Sequence, residues 1–258
     1  MAQLTDEQVR TFARDGYIVL RNVVPEPLLA AADNEIDHAT TDEGWSRPGN
    51  RAWFPVRRQV PRCDALLRDS PAFALAEQLV SPNVLDYANN HIQVAITVPP
   101  WPYVTGGYHL DGYDGDPGPP RSPPRSFTMV AAVLLTDQRG VAAGNLWVWP
   151  GSHLSHQELF RDQGTWVFHR AGGRSSLLDP PLTLSSPVPV TGNRGDVLLA
   201  HYLLGHAKGG NTAEHVRRTV YFRLAVPGHA ERWERTFLDA WTEYPPIQRM
   251  LRDGYGQA

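Results

Sequence analysis

The sequence predicts a mainly β protein with flanking α-helices (α+β), and three observations support that prediction. Helix-forming segments gather in the first third of the chain, short β-branched stretches follow from residue 90, and clusters of Pro and Gly separate those stretches. Many short strands with such punctuation are typical of a sandwich or barrel rather than of alternating β-α-β units. Without a visible repeat or linker, we expect one domain over 1–258, with a helical part (about 1–89), a β core (about 90–226) and a C-terminal extension (227–258).

The predicted helical part opens with a helix that carries its own start signal. Thr5 and Gln8 form a capping box, in which each side chain bonds a backbone N–H at the helix start. Gly16 is expected to end this helix. A strand over 17–20 and a second helix over about 25–38 should follow.

Two Ser-Pro pairs and a series of apolar stretches predict the later elements. Ser70-Pro71 and Ser81-Pro82 each resemble an N-cap followed by proline at the first helical position, which predicts two short helices ending near Tyr87. The segment 112–125 is rich in Pro and Gly and is expected to be a solvated surface loop or a lid. The expected strands are 92–98, 127–135, 146–149, 188–190, 197–200 and 216–226.

Composition excludes several classes of protein. The net charge of -3 gives no basic field for nucleic acid and no polybasic membrane tether. The apolar run 129–135 is too short to span a bilayer, and the first residues lack the basic and apolar regions of a secretory signal. Cys63 is the single cysteine, which excludes an internal disulfide and a thiolate-rich metal site. We therefore expect a soluble cytoplasmic protein, a monomer or homodimer, that binds a small molecule and neither nucleic acid nor membrane.

The strongest chemical motif is His109-Leu110-Asp111. On a strand, residues i and i+2 project to the same face, so the imidazole and the carboxylate can lie side by side. They supply two of the three ligands of a 2-His-1-carboxylate facial triad, which leaves positions open on Fe(II). The pair alone also fits an ordinary surface hydrogen bond. A third ligand is available from His201 or His206, and an arginine on the next predicted strand could hold an anionic co-substrate.

Strand alternation distinguishes the two adjacent arginines of that strand. Arg217 shares a face with Tyr221, and this row reads as the polar interior of a barrel. Arg218 shares the other face with Val220 and Phe222, and this row reads as the outer face beneath the N-terminal helices. The pattern therefore favours Arg217 for the contact with an anionic co-substrate.

Four pieces of the chain, in order, resemble the phytanoyl-CoA dioxygenase-type, Fe(II)- and 2-oxoglutarate-dependent oxygenases. They are the opening Leu4–Arg21 with its Asp-Gly-Tyr-Ile-Val-Leu, the His109-Leu110-Asp111 motif, the segment 144–153 ending in Pro-Gly-Ser-His, and the His, Asn and Arg stretch 206–218. Together they extend from about residue 4 to 226. The resemblance implies a double-stranded β-helix (a cupin-like jelly-roll) with the N-terminal helices packed on its major sheet and iron at its mouth.

The resemblance also implies a set of site residues. His109, Asp111 and His206 would be the catalytic Fe(II) ligands, since His206 precedes a Gly-containing turn, an Asn and then Arg217, whereas His201 lies too early and would have a supporting or substrate-contacting role. Arg217 would pair with the distal carboxylate of 2-oxoglutarate. His153 is expected to stabilise the Pro-Gly-Ser-His turn rather than bind metal.

Gln93 lies on the strand before the motif and is a further candidate for contact with 2-oxoglutarate or substrate, or else a plain cross-strand partner. The implied reaction uses O2, releases succinate and CO2, and hydroxylates a small organic molecule such as a secondary metabolite, or desaturates or cyclises it.

Two other classes compete with this interpretation. One is a cupin-like or lectin-like jelly-roll that binds without redox chemistry, although a cupin-like metal site usually draws on a His-x-His pattern and His109 is followed by Asp111 instead. The other is a zinc hydrolase, which has no obvious use for an inward-facing arginine. Formation of succinate from 2-oxoglutarate with added Fe(II) would discriminate against both.

Overall fold

The computed structural model describes residues 2–40, 51–56, 60–87, 91–102, 108–111, 126–165, 167 and 182–254. The helices are α1 (Asp6–Asp15), α2 (Glu26–Thr40), α3 (Pro61–Arg68), α4 (Ala72–Gln78), α5 (Ser152–Gln163), α6 (His229–Leu238) and α7 (Pro245–Arg252). The strands are β1 (Tyr17–Leu20), β2 (Arg51–Val56), β3 (His91–Thr97), β4 (Met129–Leu134), β5 (Leu146–Val148), β6 (Val188–Pro189), β7 (Val197–His201), β8 (His206–Lys208) and β9 (Arg217–Leu224).

These strands form two sheets. One has six strands in the order β1-β7-β4-β9-β3-β2, and the other has three in the order β6-β5-β8. Each hydrogen-bonded pair within them is antiparallel. The mixed α and β architecture with antiparallel sheets confirms the α+β part of the predicted fold class. None of the helices in the described ranges is long and apolar enough to cross a membrane.

Two apolar clusters hold the sheets and helices together. In the larger cluster, helices from both ends of the chain pack on the outer face of the six-stranded sheet, where Val220 and Phe222 of β9 are fully buried. The smaller cluster joins the inner face of that sheet to the three-stranded sheet. Its members on the larger sheet are mostly small, among them Ala95, Ala132 and Ala200, so the space between the sheets is not filled.

Strand β9 lies between β3 and β4 and confirms the alternation argument. Arg218 points outward and forms ion pairs with Asp33 and Asp37 of α2. Tyr221 belongs to the cluster between the two sheets, and Arg217 is buried on the same face. The adjacent arginines therefore face opposite sides of the sheet.

The first helix forms as its sequence predicts. The Thr5 hydroxyl accepts the Gln8 N–H at 3.2 Å, and the Gln8 side-chain oxygen accepts the Thr5 N–H at 2.8 Å. Gly16 ends the helix with φ of 81°, a left-handed conformation that glycine adopts without strain. β1 then pairs with β7 along its whole length.

One expectation for the Ser-Pro pairs was wrong. No helix follows Ser81-Pro82, because tertiary contacts satisfy the backbone there: the Asp86 N–H donates to the Ala225 carbonyl at 2.7 Å. Ser70-Pro71 does precede α4, with the Ser70 hydroxyl accepting the Ala72 N–H. At the Pro-Gly-Ser-His segment, Pro150 and Gly151 form the predicted turn, which leads directly into α5, and His153 is fully buried within that helix. The predicted loop or lid at 112–125 lies outside the described residues.

Candidate metal centre

His109, Asp111 and His206 lie together at one edge of the space between the sheets. One ligand atom from each lies within 4.8 Å of the others. Asp111 Oδ1 is 3.7 Å from His109 Nε2 and 3.6 Å from His206 Nε2. Two imidazole nitrogens and one carboxylate oxygen that converge in this way match the donor set of a 2-His-1-carboxylate iron site. The residues present thus fit the metal that the sequence predicts.

The backbone brings these side chains together from distant parts of the chain. The His109 N–H donates to the His206 carbonyl at 3.0 Å, and the His206 N–H donates to the His109 carbonyl at 3.1 Å. The Tyr202 hydroxyl donates to the Asp111 carbonyl at 2.9 Å. Each ligand residue is therefore held through its main chain as well as its side chain.

Arg223 fixes the orientation of the Asp111 carboxylate. Its Nε and Nη2 donate to Asp111 Oδ2 at 3.0 and 2.7 Å, and Nη2 also donates to Gln93 Oε1 at 2.8 Å. Burial alone would raise the pKa of Asp111, but its contacts with His206, Arg223 and His109 outweigh burial and hold the pKa far below its usual range. The group is thus a carboxylate with Oδ2 held by arginine and Oδ1 facing both histidines.

The orientation of His206 is set by a main-chain contact. Its Nδ1 lies 3.0 Å from the Leu204 carbonyl, which can only accept, so Nδ1 carries a proton and Nε2 faces Asp111. Burial would lower the pKa of His206, but the Asp111 carboxylate and the Leu204 carbonyl outweigh burial and raise it. A hydrogen bond of this kind from the far ring nitrogen is the usual support of a metal-binding histidine.

His201 lies apart from the ligand cluster, and both of its ring nitrogens are engaged. Nδ1 accepts the Leu203 N–H at 2.9 Å, and Nε2 donates to the Ala240 carbonyl at 2.8 Å. Burial lowers the pKa of His201 to about 4, so the ring is neutral near pH 7. The structure thus brings His206, and not His201, to His109 and Asp111.

A cavity of about 220 Å³ opens beside the cluster. Asp111 and both ligand histidines form part of its polar wall, together with Lys208 and Arg223. Apolar side chains make up much of the remaining lining, among them Phe127, Val130, Leu146, Val148, Ala200 and Leu204. A small polar molecule could therefore bind next to the metal ligands with its carbon skeleton against an apolar surface.

Arg217 is not among the residues that line this cavity, but it bonds Tyr221, which is. It is 4% exposed, its Nη2 donates to the Tyr221 hydroxyl at 2.6 Å, and its Nε lies 3.5 Å from Gln138 Oε1. Both partners are neutral, and no carboxylate within the described part of the chain pairs with this guanidinium. Gly144 passes so close that a Cβ there would lie 2.8 Å from the Arg217 Cβ. A buried cation without a protein carboxylate is suited to bind an anionic ligand.

Gln93 had two possible roles in the sequence analysis, and Arg223 was not predicted as a site residue. Gln93 lines the cavity, is paired with Tyr221 in the strand register and accepts a hydrogen bond from Arg223. Arg223 was not a candidate, although strand alternation places it on the same face as Arg217. That inward-facing position was the available signal.

The chain is similar to known proteins both in sequence and in fold. The family model described as phytanoyl-CoA dioxygenase (PhyH) matches residues 12–219. No curated protein matches the sequence. Among solved structures, the non-heme α-ketoglutarate-dependent carbocyclase SnoK from nogalamycin biosynthesis is 20% identical, with a TM-score of 0.62 and coverage of 86% of this chain and 83% of its own.

Two further solved structures are similar to the same extent. HygX from Streptomyces hygroscopicus, with nickel and 2-oxoglutarate bound, is 20% identical with a TM-score of 0.60 and covers 88% of each chain. The epimerase SnoN, in complex with Fe3+, α-ketoglutarate and nogalamycin RO, is 18% identical with a TM-score of 0.60 and covers 86% of this chain and 83% of its own. At these identities the likeness shows a shared fold.

Proposed function

Because the chain belongs to the phytanoyl-CoA dioxygenase family, we propose that it is an Fe(II)- and 2-oxoglutarate-dependent oxygenase whose metal is held by His109, Asp111 and His206. The observation that carries the proposal is the convergence of these three ligand atoms within 4.8 Å at the wall of a cavity. When bound, iron and 2-oxoglutarate supply oxidation by O2 coupled to release of succinate and CO2. The chain itself would supply the ligand geometry, bind the co-substrate and exclude water.

We propose that Arg217 binds the distal carboxylate of 2-oxoglutarate. Its burial, and the absence of a paired carboxylate among the described residues, support this role, since a carboxylate is the group that best balances a buried guanidinium. The Tyr221 hydroxyl accepts a hydrogen bond from the guanidinium and Tyr221 lines the cavity, so this hydroxyl would share the contact. Gln93, on the same wall, would border the co-substrate or the substrate.

The substrate proposed for this site is a small organic molecule of the secondary-metabolite type. SnoN is described with nogalamycin RO bound and HygX with hygromycin B bound, which supports this class. The proposed outcome is hydroxylation, or desaturation or cyclisation that begins with the same oxidative step. We further propose that residues 1–258 form one catalytic domain whose two sheets make a double-stranded β-helix.

Anaerobic binding and aerobic turnover test the function together. The purified protein should bind 2-oxoglutarate only when Fe(II) or Ni(II) is present, because the metal supplies part of the co-substrate's binding site. With Fe(II), 2-oxoglutarate and O2 it should form succinate, slowly when no substrate is added. The Asp111→Ala variant should lose both properties. A wild-type protein that binds neither metal nor 2-oxoglutarate would favour a jelly-roll that binds without redox chemistry.

A further inference from the structure

Of the three buried polar side chains of helix α5, Ser152 and His156 lie one helical turn apart, and His153 is the third. Residues at i and i+4 lie on the same face of a helix. Both side chains make hydrogen bonds to the segments that carry His109 and His206. The helix contributes no metal ligand itself, yet it contacts the chain next to both histidine ligands.

His156 joins those two segments through its two ring nitrogens. Nδ1 lies 2.6 Å from the Leu203 carbonyl, which can only accept, so Nδ1 is the donor. Burial lowers the pKa of His156 to about 3, so the ring is neutral, and Nε2 is left to accept the Tyr108 hydroxyl. Tyr108 immediately precedes His109, and Leu203 lies three residues before His206.

Ser152 holds the segment that carries His206, at the residue just before that ligand. Its hydroxyl accepts the Gly205 N–H at 2.9 Å. Gly205 also packs against the Tyr108 ring so closely that a Cβ would lie 2.1 Å from a ring carbon. The two residues that precede the ligand histidines, Tyr108 and Gly205, are thus in direct contact with each other.

The helix is anchored to the rest of the fold and can act as a fixed platform. At its start, the Gly151 N–H donates to the Asp15 carbonyl at 3.0 Å. In its last turns, the Phe160 ring lies 5.0 Å from the Phe237 ring, and the Gln157 side chain accepts the Ala240 N–H at 2.8 Å. Displacement of α5 would break contacts with α1 and with α6, so the positions of Ser152 and His156 are well defined.

We propose that His156 is a positioning residue of the metal centre, which supports the placement of His109 and His206 by holding Tyr108 and Leu203. This inference rests on the proposed function, because it requires that the cluster bind a metal. Side chains that hold ligand residues in place contribute to metal affinity by keeping the ligands close to their bound arrangement. Loss of the His156 contacts would leave the main-chain pair between His109 and His206 with less support, so the ligand side chains would be held less closely to their bound arrangement.

Titration with Co(II) alone, followed by its visible absorption, tests the proposal. The absorption bands of Co(II) report ligand geometry, which a change in stability alone would not alter. His156→Phe removes both hydrogen bonds and keeps an aromatic ring, and we expect its Co(II) affinity to fall by about tenfold to a hundredfold. His156→Asn places an amide nitrogen near the position of Nδ1 and keeps only the Leu203 contact. Its Co(II) affinity should therefore lie between that of the wild type and that of His156→Phe.

His153→Phe is the matched control, since His153 lies on the same helix and is equally buried but contacts the Ala13 carbonyl of α1. It should retain wild-type Co(II) affinity and spectrum. Tyr108→Phe removes a single hydroxyl and serves if His156→Phe does not fold; it should shift the Co(II) spectrum and weaken binding several-fold.

Folding of every variant is checked by circular dichroism. Unchanged Co(II) binding in folded His156→Phe or in Tyr108→Phe would overturn the proposal, as would an equal loss in His153→Phe. A wild-type protein that binds no Co(II) would instead overturn the proposed function.

Discussion

Arg223 donates two hydrogen bonds to one oxygen of Asp111, from Nε at 3.0 Å and from Nη2 at 2.7 Å. The other oxygen faces the two ligand histidines at 3.7 and 3.6 Å. The arginine thus balances the charge of the carboxylate without covering the oxygen that a metal would use. Arg223 and a metal ion could therefore bind the Asp111 carboxylate at the same time, Arg223 through Oδ2 and the metal through Oδ1.

Removal of Arg223 should make the protein depend on metal for stability. Arg223→Leu leaves a largely buried carboxylate without its cation, and we expect the metal-free protein to lose about 3 kcal/mol, the lower end for a buried ion pair that loses one partner. Bound metal then becomes the main cation beside Asp111, so Ni(II) should raise the melting temperature more in the variant than in the wild type.

Arg218→Leu is the control for this comparison, because Arg218 is on the same strand and pairs with acids of α2, away from the cluster. Its melting temperature should respond to Ni(II) as the wild type does. An equal metal response in Arg223→Leu and the wild type would contradict the assignment of Arg223.

Separate substitution of His206 and His201 by alanine should distinguish a metal ligand from a residue that supports the fold. His206→Ala should abolish metal binding, because it removes one of three ligands. His201→Ala should unfold at lower temperature, since it leaves the Ala240 carbonyl and the Leu203 N–H without their partners, but should keep its metal. Elemental analysis of the purified variants measures the metal content. Loss of metal from His201→Ala with retention in His206→Ala would reverse the assignment.

Arg217 should determine the affinity for 2-oxoglutarate. A co-substrate carboxylate left without its buried charge partner costs about 3–5 kcal/mol, so affinity in Arg217→Ala should fall by roughly a hundredfold or more. Calorimetry with Ni(II) in place of Fe(II) measures binding without turnover, and metal content should stay at the wild-type level. Arg217→Lys keeps the charge but loses the paired donors, and should bind with intermediate affinity. Arg218→Ala should bind as the wild type, and loss of affinity there alone would place the co-substrate on the opposite face of the strand.

A second buried cluster, centred on Glu243, ties the C-terminal helices to the sheet. The Glu243 carboxylate accepts hydrogen bonds from the Thr128 hydroxyl, from His229 and from Arg232. The Ser126 hydroxyl lies 2.9 Å from the other ring nitrogen of His229. This chain of serine, histidine and glutamate resembles a hydrolytic triad, but the cavity beside it measures only about 10 Å³. Its role in the fold is therefore structural.

The Glu243 cluster should make stability fall in acid. Burial would raise the pKa of Glu243, but the contacts with His229, Thr128 and Arg232 outweigh it and lower the pKa below the usual 4.5. A carboxylate whose pKa is lowered in the folded state stabilises above its unfolded pKa, and that contribution is lost as pH falls through the folded value. Glu243→Gln should be less stable than the wild type at pH 7, and the difference should shrink below about pH 4.

Urea unfolding at pH 7 and at lower pH measures this difference. Glu26→Gln provides the control, because the Glu26 carboxylate pairs with Arg194 at the surface and should contribute little at either pH. A constant difference between Glu243→Gln and the wild type over this range would show that Glu243 does not carry the effect.

The sequence predicted those parts of the site that local periodicity determines. Alternation along β9 separated Arg217 from Arg218, and the i, i+2 spacing placed His109 beside Asp111. The contact of Arg223 with Asp111 could not be predicted in the same way, because it joins residues 112 positions apart and depends on where the segment 108–111, bridged to His206 through His109, approaches β9. The role of His156 could not be predicted either, since its contacts with Tyr108 and Leu203 exist only after α5 packs.

The alanines on the inner face of the six-stranded sheet bear on how such a site can change over time. Ala200 lines the cavity, and Ala95 and Ala132 lie in the same cluster between the sheets. The cavity therefore has its volume because these three side chains are small. Each methylene added at Ala200 would reduce the volume that is available to a substrate. The metal ligands lie on other segments and would keep their positions. Selectivity for new molecules could thus evolve by small steps in volume, without loss of the oxidising centre during the transition.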